Sequence, residues 1–255
     1  MEDNTIPKII HFCWFGGRPL PKSAKKCIES WKKFLPDFEI KRWDETNFNI
    51  NEIAYISEAY SAGKYAFVSD YARLKILWEY GGVYFDTDVE IICPIDDIIS
   101  KGPFLGIESL QCKNGQEFLG VNPGLGLSAT PGMNFLKKLL ETYAILHFRD
   151  QQGNLNKKTI VEYTSEELMK HGLSPENKIQ QCGGFTVYPI DYFNPKNMYS
   201  GKLTITGNTR SIHHFDSSWH TPWERFKKRL TIYLGPSLTK NLVKLKRCLK
   251  LRKVR

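Results

Sequence analysis

The chain has 255 residues, of which 41% are hydrophobic and 25% are charged, with 19 glycines and 13 prolines. This length predicts one full-sized domain with an extension, and the composition excludes a collagen-like, low-complexity or wholly disordered chain. The net charge of +9 is unevenly distributed, because residues 224–255 contain 12 of the 36 basic residues and one acid, which leaves the preceding body near neutral.

The amino terminus and the cysteines bear on cellular location. The first five residues are acidic and lack the basic start and apolar stretch of a secretory signal. No apolar stretch approaches the ~20 residues of a membrane-spanning helix. The six cysteines form no C-x-x-C pair, so neither a zinc ribbon nor a redox dithiol is predicted. We therefore expect a cytoplasmic protein with reduced thiols.

Strand and helix patterns alternate along the chain. The first half predicts a strand over 7–15 that ends at a glycine pair, a helix after Pro21, a strand over 38–43, a helix over 53–62 and a helix with an apolar stripe from Phe67 to Trp78. Gly81-Gly82 ends that last helix, and a strand over 83–92 follows. Later elements are strands between Leu105 and Leu127 with a glycine-rich loop at 122–126, a helix over 132–146, and strands over 185–190 and 212–215. This alternation predicts an α/β sheet.

The strand predicted over 83–92 carries two candidate metal ligands. Because side chains alternate along a strand, Asp86 and Asp88 project from one face, roughly 7 Å apart. One aspartate can ligate a cation directly while the other reaches bound ligand or metal water, and such oxygen ligands suit Mn²⁺ or Mg²⁺. An Asp-x-Asp is common on polar strand faces, so this pair alone does not define a function.

A second pair lies on the preceding helix. Asp70 and Arg73 are three residues apart, so they occupy neighbouring helix faces and can pair or hold adjacent hydroxyls of one ligand. Surface pairs of this kind are frequent and contribute little. The combination of helix pair, glycine stop and Asp-x-Asp is therefore what indicates a site.

Two stretches, IPKIIHFCWFGG from Ile6 and SDYARLKILWEYGGVYFDTDV from Ser69, resemble glycosyltransferase family 32. That family contains bacterial polysaccharide sugar transferases and yeast mannosyltransferases, and it is similar to the catalytic domain of large clostridial glucosylating toxins. The resemblance is strong over residues 6–90 and weaker over 120–220. It implies an α/β GT-A fold, Rossmann-like and nucleotide-sugar-binding, and transfer with retention of anomeric configuration.

The resemblance also implies roles for individual residues. The implied donor-binding set comprises Trp14, which would stack on the base, Ser69, Asp70 and Arg73, which would surround sugar hydroxyls, Tyr84 and Asp86, which belong to the same motif, and Trp219 in a lid over the diphosphate. The implied metal set, for Mn²⁺ or Mg²⁺, comprises Asp86, Asp88, His214 and Ser217. Asp86, Asp88 and Arg73 would be the catalytic residues. Because neighbours on a strand point in opposite directions, His213 and His214 are not both expected to face the ion.

The implied reaction is metal-dependent transfer from a nucleotide sugar to a glycan or lipid-linked glycan acceptor in bacterial surface polysaccharide synthesis. A UDP-sugar is favoured, and the yeast relatives leave a GDP-sugar open. Two alternatives remain: a phosphatase of the haloacid-dehalogenase type, and a non-catalytic basic module that binds membrane or nucleic acid. The first requires Thr or Val at the position of Glu90, and charge asymmetry alone supports the second.

The basic segment suggests a separate role. We predict a catalytic domain over residues 1–222 and a helical tail over 223–255. In the tail, leucines from Leu238 to Leu249 recur at spacings of four, three and four among lysines and arginines. Such a basic amphipathic helix is typical of proteins bound to anionic membrane surfaces. We therefore expect peripheral association with the inner face of the cytoplasmic membrane and no nucleic-acid partner, with a solvated helix packed on the body as the alternative.

Overall fold

The computed structural model describes residues 5–113, 115–198 and 200–216. The larger of two compact units runs to Pro195 and resumes over Thr204–His214, and the other unit includes Lys196–Leu203. Lys196 and Leu203 form an isolated antiparallel bridge. The predicted tail over 223–255 lies outside the described residues. Among those described, no helix combines the length and apolar character required to cross a membrane.

Helices and strands alternate through the larger unit, as the sequence pattern predicts. In chain order the elements are β1 (Ile9–Cys13), α1 (Lys22–Phe34), β2 (Glu39–Trp43), α2 (Ala54–Ser61), α3 (Tyr65–Tyr80), β3 (Gly82–Tyr84), β4 (Val89–Ile91), α4 (Asp96–Ile99), β5 (Phe104–Lys113), β6 (Gln116–Val121), β7 (Leu127–Ala129), α5 (Asn134–Ala144), α6 (Ile160–Lys170), β8 (Gln180–Cys182), β9 (Phe185–Tyr188), α7 (Ile190–Phe193) and β10 (Ser211–His213).

The main sheet has the strand order β2-β1-β3-β7-β5-β9-β8, with β6 paired to β5. β1 is parallel to β2 and β3, and β5 is parallel to β9, whereas β7 is antiparallel to both β3 and β5. A second, two-stranded sheet joins β4 to β10 in antiparallel fashion. The predicted α/β class is therefore confirmed.

Two clusters of buried apolar side chains stabilise the larger unit. One contains residues of α2, α3, α5 and α6, among them Tyr55, Leu74 and Tyr143. The other contains Trp31 of α1 and Phe85 just after β3, whose ring centroids lie 5.6 Å apart. Because α3 packs against α2, α5 and the sheet, half of its residues are buried, including the polar Asp70 and Arg73.

The prediction of one continuous strand over 83–92 is wrong. β3 belongs to the main sheet and β4 to the second sheet, and Thr87 and Asp88 form a turn between them. The Val89 amide donates to the Asp86 carbonyl at 3.0 Å, which closes that turn. The chain leaves the main sheet here because β3 pairs with β1 and β7, whereas β4 pairs with β10. The Asp-x-Asp therefore lies in a turn rather than on a strand face.

Candidate functional site

The turn between β3 and β4 brings two carboxylates to an imidazole. Oδ1 of Asp88 lies 3.1 Å from Nε2 of His213, and one ligand atom from each of Asp86, Asp88 and His213 lies within 4.8 Å of the others. Two carboxylate oxygens and a ring nitrogen around one point suit a divalent ion such as Mn²⁺. The donor set therefore fits the metal that the sequence predicts, although with a different histidine.

The structure places the predicted metal ligand His214 against Glu90 instead. In the antiparallel pairing of β10 with β4, His213 is opposite Val89, and the His214 amide donates to the Asp88 carbonyl at 2.9 Å. Nε2 of His214 lies 2.8 Å from Oε2 of Glu90. Successive side chains along an extended backbone point in opposite directions, so the registration that turns His213 toward the aspartates turns His214 away. This geometry favours His213 over the predicted His214 as the nitrogen ligand of the metal set.

Arg73 is buried between two carboxylates. One terminal nitrogen of its guanidinium lies 3.1 Å from Oδ1 of Asp70 and 3.2 Å from Oδ1 of Asp86. Its Nε donates to the Ser69 carbonyl at 3.1 Å, and the guanidinium lies 4.8 Å from the centre of the Tyr84 ring. Burial opposes the charged form, but Asp86, Tyr84 and Asp70 together raise the pKa of Arg73. The guanidinium is therefore a permanent positive charge that links the helix pair to the Asp-x-Asp.

The hydroxyls near Arg73 are already engaged. Tyr84 donates its hydroxyl hydrogen to Oδ1 of Asp86 at 3.1 Å, and its ring is 1% exposed, so it combines packing with a polar contact to the motif. The Ser69 hydroxyl donates to the Tyr65 carbonyl at 3.1 Å within α3. The Tyr84 side chain therefore contacts the Asp-x-Asp, whereas the Ser69 hydroxyl bonds within its own helix.

Asp70 has an unusual environment for a carboxyl. Burial raises the pKa of Asp70 to about 6, opposed by Arg73 and by the backbone hydrogen bond from Ile160, while Asp86 adds to the increase. Ile160 is the first residue of α6, so the start of that helix is directed at the carboxyl. The unpaired backbone amides at the start of a helix carry partial positive charge, so they interact favourably with a carboxylate placed there. Asp70 is thus held from α3 and α6 together.

The loop between β6 and β7, which lies outside the predicted metal set, supports Asp86. The Asp86 amide donates to the Gly124 carbonyl at 2.9 Å. A Cβ on Gly124 would lie 1.9 Å from Oδ2 of Asp86, so any side chain at this position would displace the carboxylate. The Gly124 amide donates to Oδ1 of Asn122 at 2.7 Å, and the Asn122 amide group contacts the Glu108 carboxylate. The glycine-rich pattern of this loop is visible in the sequence, but the sequence does not show that the loop contacts Asp86.

Trp14 lies just beyond β1, at the same edge of the sheet as the Asp-x-Asp. β1 and β3 are parallel, so their carboxyl ends adjoin. The Trp14 amide donates to the Trp43 carbonyl at 2.8 Å, and its indole nitrogen donates to the Arg18 carbonyl at 2.6 Å. The structure therefore brings together Trp14, the helix pair and the Asp-x-Asp at one edge. The predicted residues Ser217 and Trp219 lie outside the described part of the chain.

Known proteins resemble this chain in sequence. Residues 21–105 match the family described as a glycosyltransferase sugar-binding region containing a DXD motif. Inositol phosphoceramide mannosyltransferase 1 of Schizosaccharomyces pombe is 29% identical over 41% of this chain and 34% of its own length, so the chain spans about a third of that relative. An uncharacterized glycosyltransferase of Acanthamoeba polyphaga mimivirus is 28% identical over 75% of this chain and 76% of its own.

Solved structures show a more distant likeness. The galactosyltransferase LgtC, solved with donor and acceptor sugar analogues, is 14% identical with a TM-score of 0.44, over 91% of this chain and 99% of its own. Mouse xyloside xylosyltransferase 1 is 12% identical with a TM-score of 0.49, over 85% of this chain and 100% of its own.

The matched segment contains both the helix pair and the Asp-x-Asp, whose geometry is described above. About a third of the chain, residues 21–105, is therefore similar to the sugar-binding region of DXD-containing glycosyltransferases. This match confirms the predicted resemblance to sugar transferases with a DXD motif, and the mixed sheet confirms the α/β class. The same match favours a sugar transferase over the phosphatase and the non-catalytic module.

Proposed function

We propose that the enzyme is a metal-dependent, retaining glycosyltransferase that uses a nucleotide sugar, with a UDP-sugar as the first candidate. The observation that supports this proposal is the group formed by Asp86, Asp88 and His213 beside the buried Arg73. These three side chains would hold Mn²⁺ or Mg²⁺, which stabilises negative charge on the oxygens of a departing diphosphate.

The residues around that group have separable tasks in this proposal. Asp70 and Arg73 hold hydroxyls of the donor sugar, and their burial excludes water that would compete for those hydrogen bonds. Asp86 contacts Arg73 and Tyr84 at one oxygen, so it joins the sugar subsite to the metal subsite. Trp14, at the adjoining end of β1, offers an indole face to the base. Ser69 supports Arg73 through its carbonyl.

The acceptor is proposed to be a glycan or lipid-linked glycan in bacterial surface polysaccharide synthesis. The yeast relative is named as an inositol phosphoceramide mannosyltransferase, that is, an enzyme that transfers mannose to a lipid. This name supports a lipid-borne acceptor, and it keeps a GDP-sugar as a second candidate donor beside the UDP-sugar. The basic segment 223–255 would dock on the anionic inner face of the cytoplasmic membrane. A chain shortened to end at Tyr233 should then no longer sediment with anionic liposomes; unchanged sedimentation would contradict the docking proposal.

Donor hydrolysis tests the enzymatic proposal. The full chain is incubated with a panel of UDP- and GDP-sugars, with Mn²⁺ or with a chelator, and released nucleoside diphosphate is measured. We expect one donor to be hydrolysed with Mn²⁺ only, and Asp88→Asn to abolish that hydrolysis. Equal hydrolysis by Asp88→Asn, or hydrolysis that persists in the chelator, would contradict the metal role.

A further inference from the structure

The pairing of β5 with β6 contains a β-bulge at Glu108. The two neighbours of Glu108 in β5 pair with Gly120 and Val121, which are adjacent in β6, so Glu108 is an extra residue between two ladder pairs. Nδ2 of Asn194, which follows α7, donates to the Glu108 carbonyl at 2.8 Å and holds the bulged backbone. Bulges redirect side chains and are frequent beside active sites. The direction of the Glu108 side chain is therefore set by a defined irregularity of β5.

The Glu108 carboxylate contacts the loop between β6 and β7. Asn122, the first residue of that loop and only 7% exposed, donates from Nδ2 to Oε2 of Glu108. Oδ1 of the same side-chain amide accepts from the Gly124 amide at 2.7 Å. A carboxylate only accepts hydrogen bonds, whereas a side-chain amide has one donating and one accepting end. Glu108 therefore selects the orientation of the Asn122 amide in which Oδ1 faces Gly124.

Gly124 connects this amide to Asp86. The Gly124 amide is held by Asn122, and the Gly124 carbonyl accepts from the Asp86 amide at 2.9 Å, so three successive hydrogen bonds connect the Glu108 carboxylate with the backbone of Asp86. If the Asn122 amide were turned end for end, Nδ2 would face the Gly124 N–H, and two buried donors would oppose each other. The loop would then have to move. Gly124 also lies against the Asp86 carboxylate, so the movement would reach that side chain as well.

We infer that Glu108 is a positioning residue for the Asp-x-Asp and acts through Asn122 and Gly124. Its effect on metal binding rests on the proposed function, in which Asp86 helps to hold a divalent ion. Its effect on the backbone requires no ligand, because the accepting oxygen of Glu108 keeps the hydrogen bond between Asp86 and Gly124 closed. The inference therefore has one readout in the metal-free chain and a second one with the metal.

Two substitutions at Glu108 separate its hydrogen bond from its charge. Glu108→Gln and Glu108→Ala both remove one negative charge, but only glutamine retains an oxygen that accepts from Asn122. Amide hydrogen exchange at Asp86 is measured by NMR in the metal-free full chain. We expect about three- to tenfold faster exchange in Glu108→Ala than in Glu108→Gln, because only alanine loses the buried hydrogen bond. Glu117→Ala, at an exposed position of the same hairpin, is the control and should leave exchange unchanged. Equal exchange rates in the two Glu108 variants would overturn the inference.

A reciprocal change of donor and acceptor tests the same hydrogen bond from both sides. Asn122→Asp places a second carboxylate against Glu108, so we expect faster exchange at Asp86. Adding Glu108→Gln to that variant restores a donor opposite an acceptor and the original net charge. Exchange at Asp86 should then slow toward the rate of the unmutated chain. Exchange that remains as fast in the double variant as in the single one would overturn the inference.

Calorimetric titration with Mn²⁺ connects the positioning role to the metal. We expect Glu108→Ala to bind Mn²⁺ about three- to tenfold more weakly than Glu108→Gln, which carries the same charge. Equal Mn²⁺ affinity in these two variants would overturn the claim that Glu108 positions a metal ligand. If the unmutated chain bound no Mn²⁺, the proposed metal role would be contradicted, and the exchange rates would still decide whether Glu108 positions the turn.

Discussion

Gly124 and Asp86 touch at the point where the β6–β7 loop meets the Asp-x-Asp turn. The Asp86 amide donates to the Gly124 carbonyl at 2.9 Å, and a Cβ on Gly124 would lie 1.9 Å from Oδ2 of the same aspartate. The loop thus holds Asp86 through its backbone, and a side chain at position 124 would push the Asp86 carboxylate from its place. The first carboxylate of the Asp-x-Asp is thus positioned by a residue distant in sequence.

Gly124→Ala should therefore displace Asp86. The added methyl group cannot fit without moving the carboxylate or the adjacent Arg73, whose terminal nitrogen would lie 3.0 Å from it. We expect Mn²⁺ affinity, measured by calorimetry, to fall at least about tenfold, as for other losses of ligand support. Gly207→Ala is the matched control, because a Cβ there meets nothing within 4 Å. Equal Mn²⁺ affinity in the two variants would contradict this view of Gly124.

The neighbouring histidines should behave differently. His213 lies 3.1 Å from Asp88, and His214 is directed at Glu90. Replacing His213 by alanine removes a nitrogen ligand, so we expect Mn²⁺ binding to weaken by about 10- to 100-fold or more. His214→Ala should have a distinctly smaller effect, through loss of the contact with Glu90. Manganese titrations of both variants decide the question, and a reversed order would restore His214 as the ligand.

The charge balance around Arg73 makes a stability prediction. Arg73→Met would leave Asp70 and Asp86 facing each other in a buried site, so we expect a loss of about 3–5 kcal/mol in the free energy of unfolding. Adding Asp70→Asn should recover part of that loss, because one uncompensated carboxylate is removed. Urea unfolding of the single and double variants measures the coupling. Strictly additive losses would show that the two residues do not interact energetically.

His11 makes a prediction about acid stability. It is fully buried, accepts from the Trp43 indole nitrogen at Nδ1 (3.0 Å), and has Nε2 3.0 Å from the Gly81 carbonyl. Burial lowers the pKa of His11 from 6.5 to about 4. The unfolded chain binds a proton at higher pH than the folded one, so stability is complete above pH 6.5 and declines as the pH falls toward 4.

The size of that effect follows from the shift. A pKa shift of this magnitude corresponds to a fall of about 3 kcal/mol in the free energy of unfolding as the pH is lowered from 6.5 to 4. Urea unfolding of the unmutated chain and of His11→Gln should therefore differ in slope between pH 6.5 and 4, with the flatter dependence in the variant. Parallel pH profiles would show that His11 does not titrate in this way.

Local patterns in the sequence predicted much of the framework. The apolar stripe and glycine pair predicted α3 and its end, because helical spacing and left-handed glycine stops are local properties; Gly81 indeed has φ +63°. The same helix geometry placed Asp70 and Arg73 as neighbours, which the 3.1 Å contact confirms. The family resemblance indicated that the Asp-x-Asp adjoins this pair.

Features that depend on distant partners were not predictable in the same way. The Asp-x-Asp turn arises because β3 and β4 pair in different sheets, and apolar alternation alone cannot distinguish that from one strand. Whether His213 or His214 faces the aspartates depends on the register in which β10 pairs with β4, and a shift of one residue would exchange them. The contact of Gly124 with Asp86, and the helix α6 that reaches Asp70, depend on where loops return in three dimensions.

In the proposed enzyme, Asp86, Asp88 and His213 form a metal centre for a nucleotide-sugar donor, and metal-dependent nucleotide binding tests this arrangement. UDP and GDP are titrated calorimetrically into the full chain with Mn²⁺ and with a chelator, and the titrations are repeated with Asp88→Asn. We expect at least one nucleotide to bind the unmutated chain with Mn²⁺, and we expect that binding to be lost in the chelator and in the variant. Binding that is equally strong without metal, or in Asp88→Asn, would contradict this arrangement, as would the absence of binding of both nucleotides.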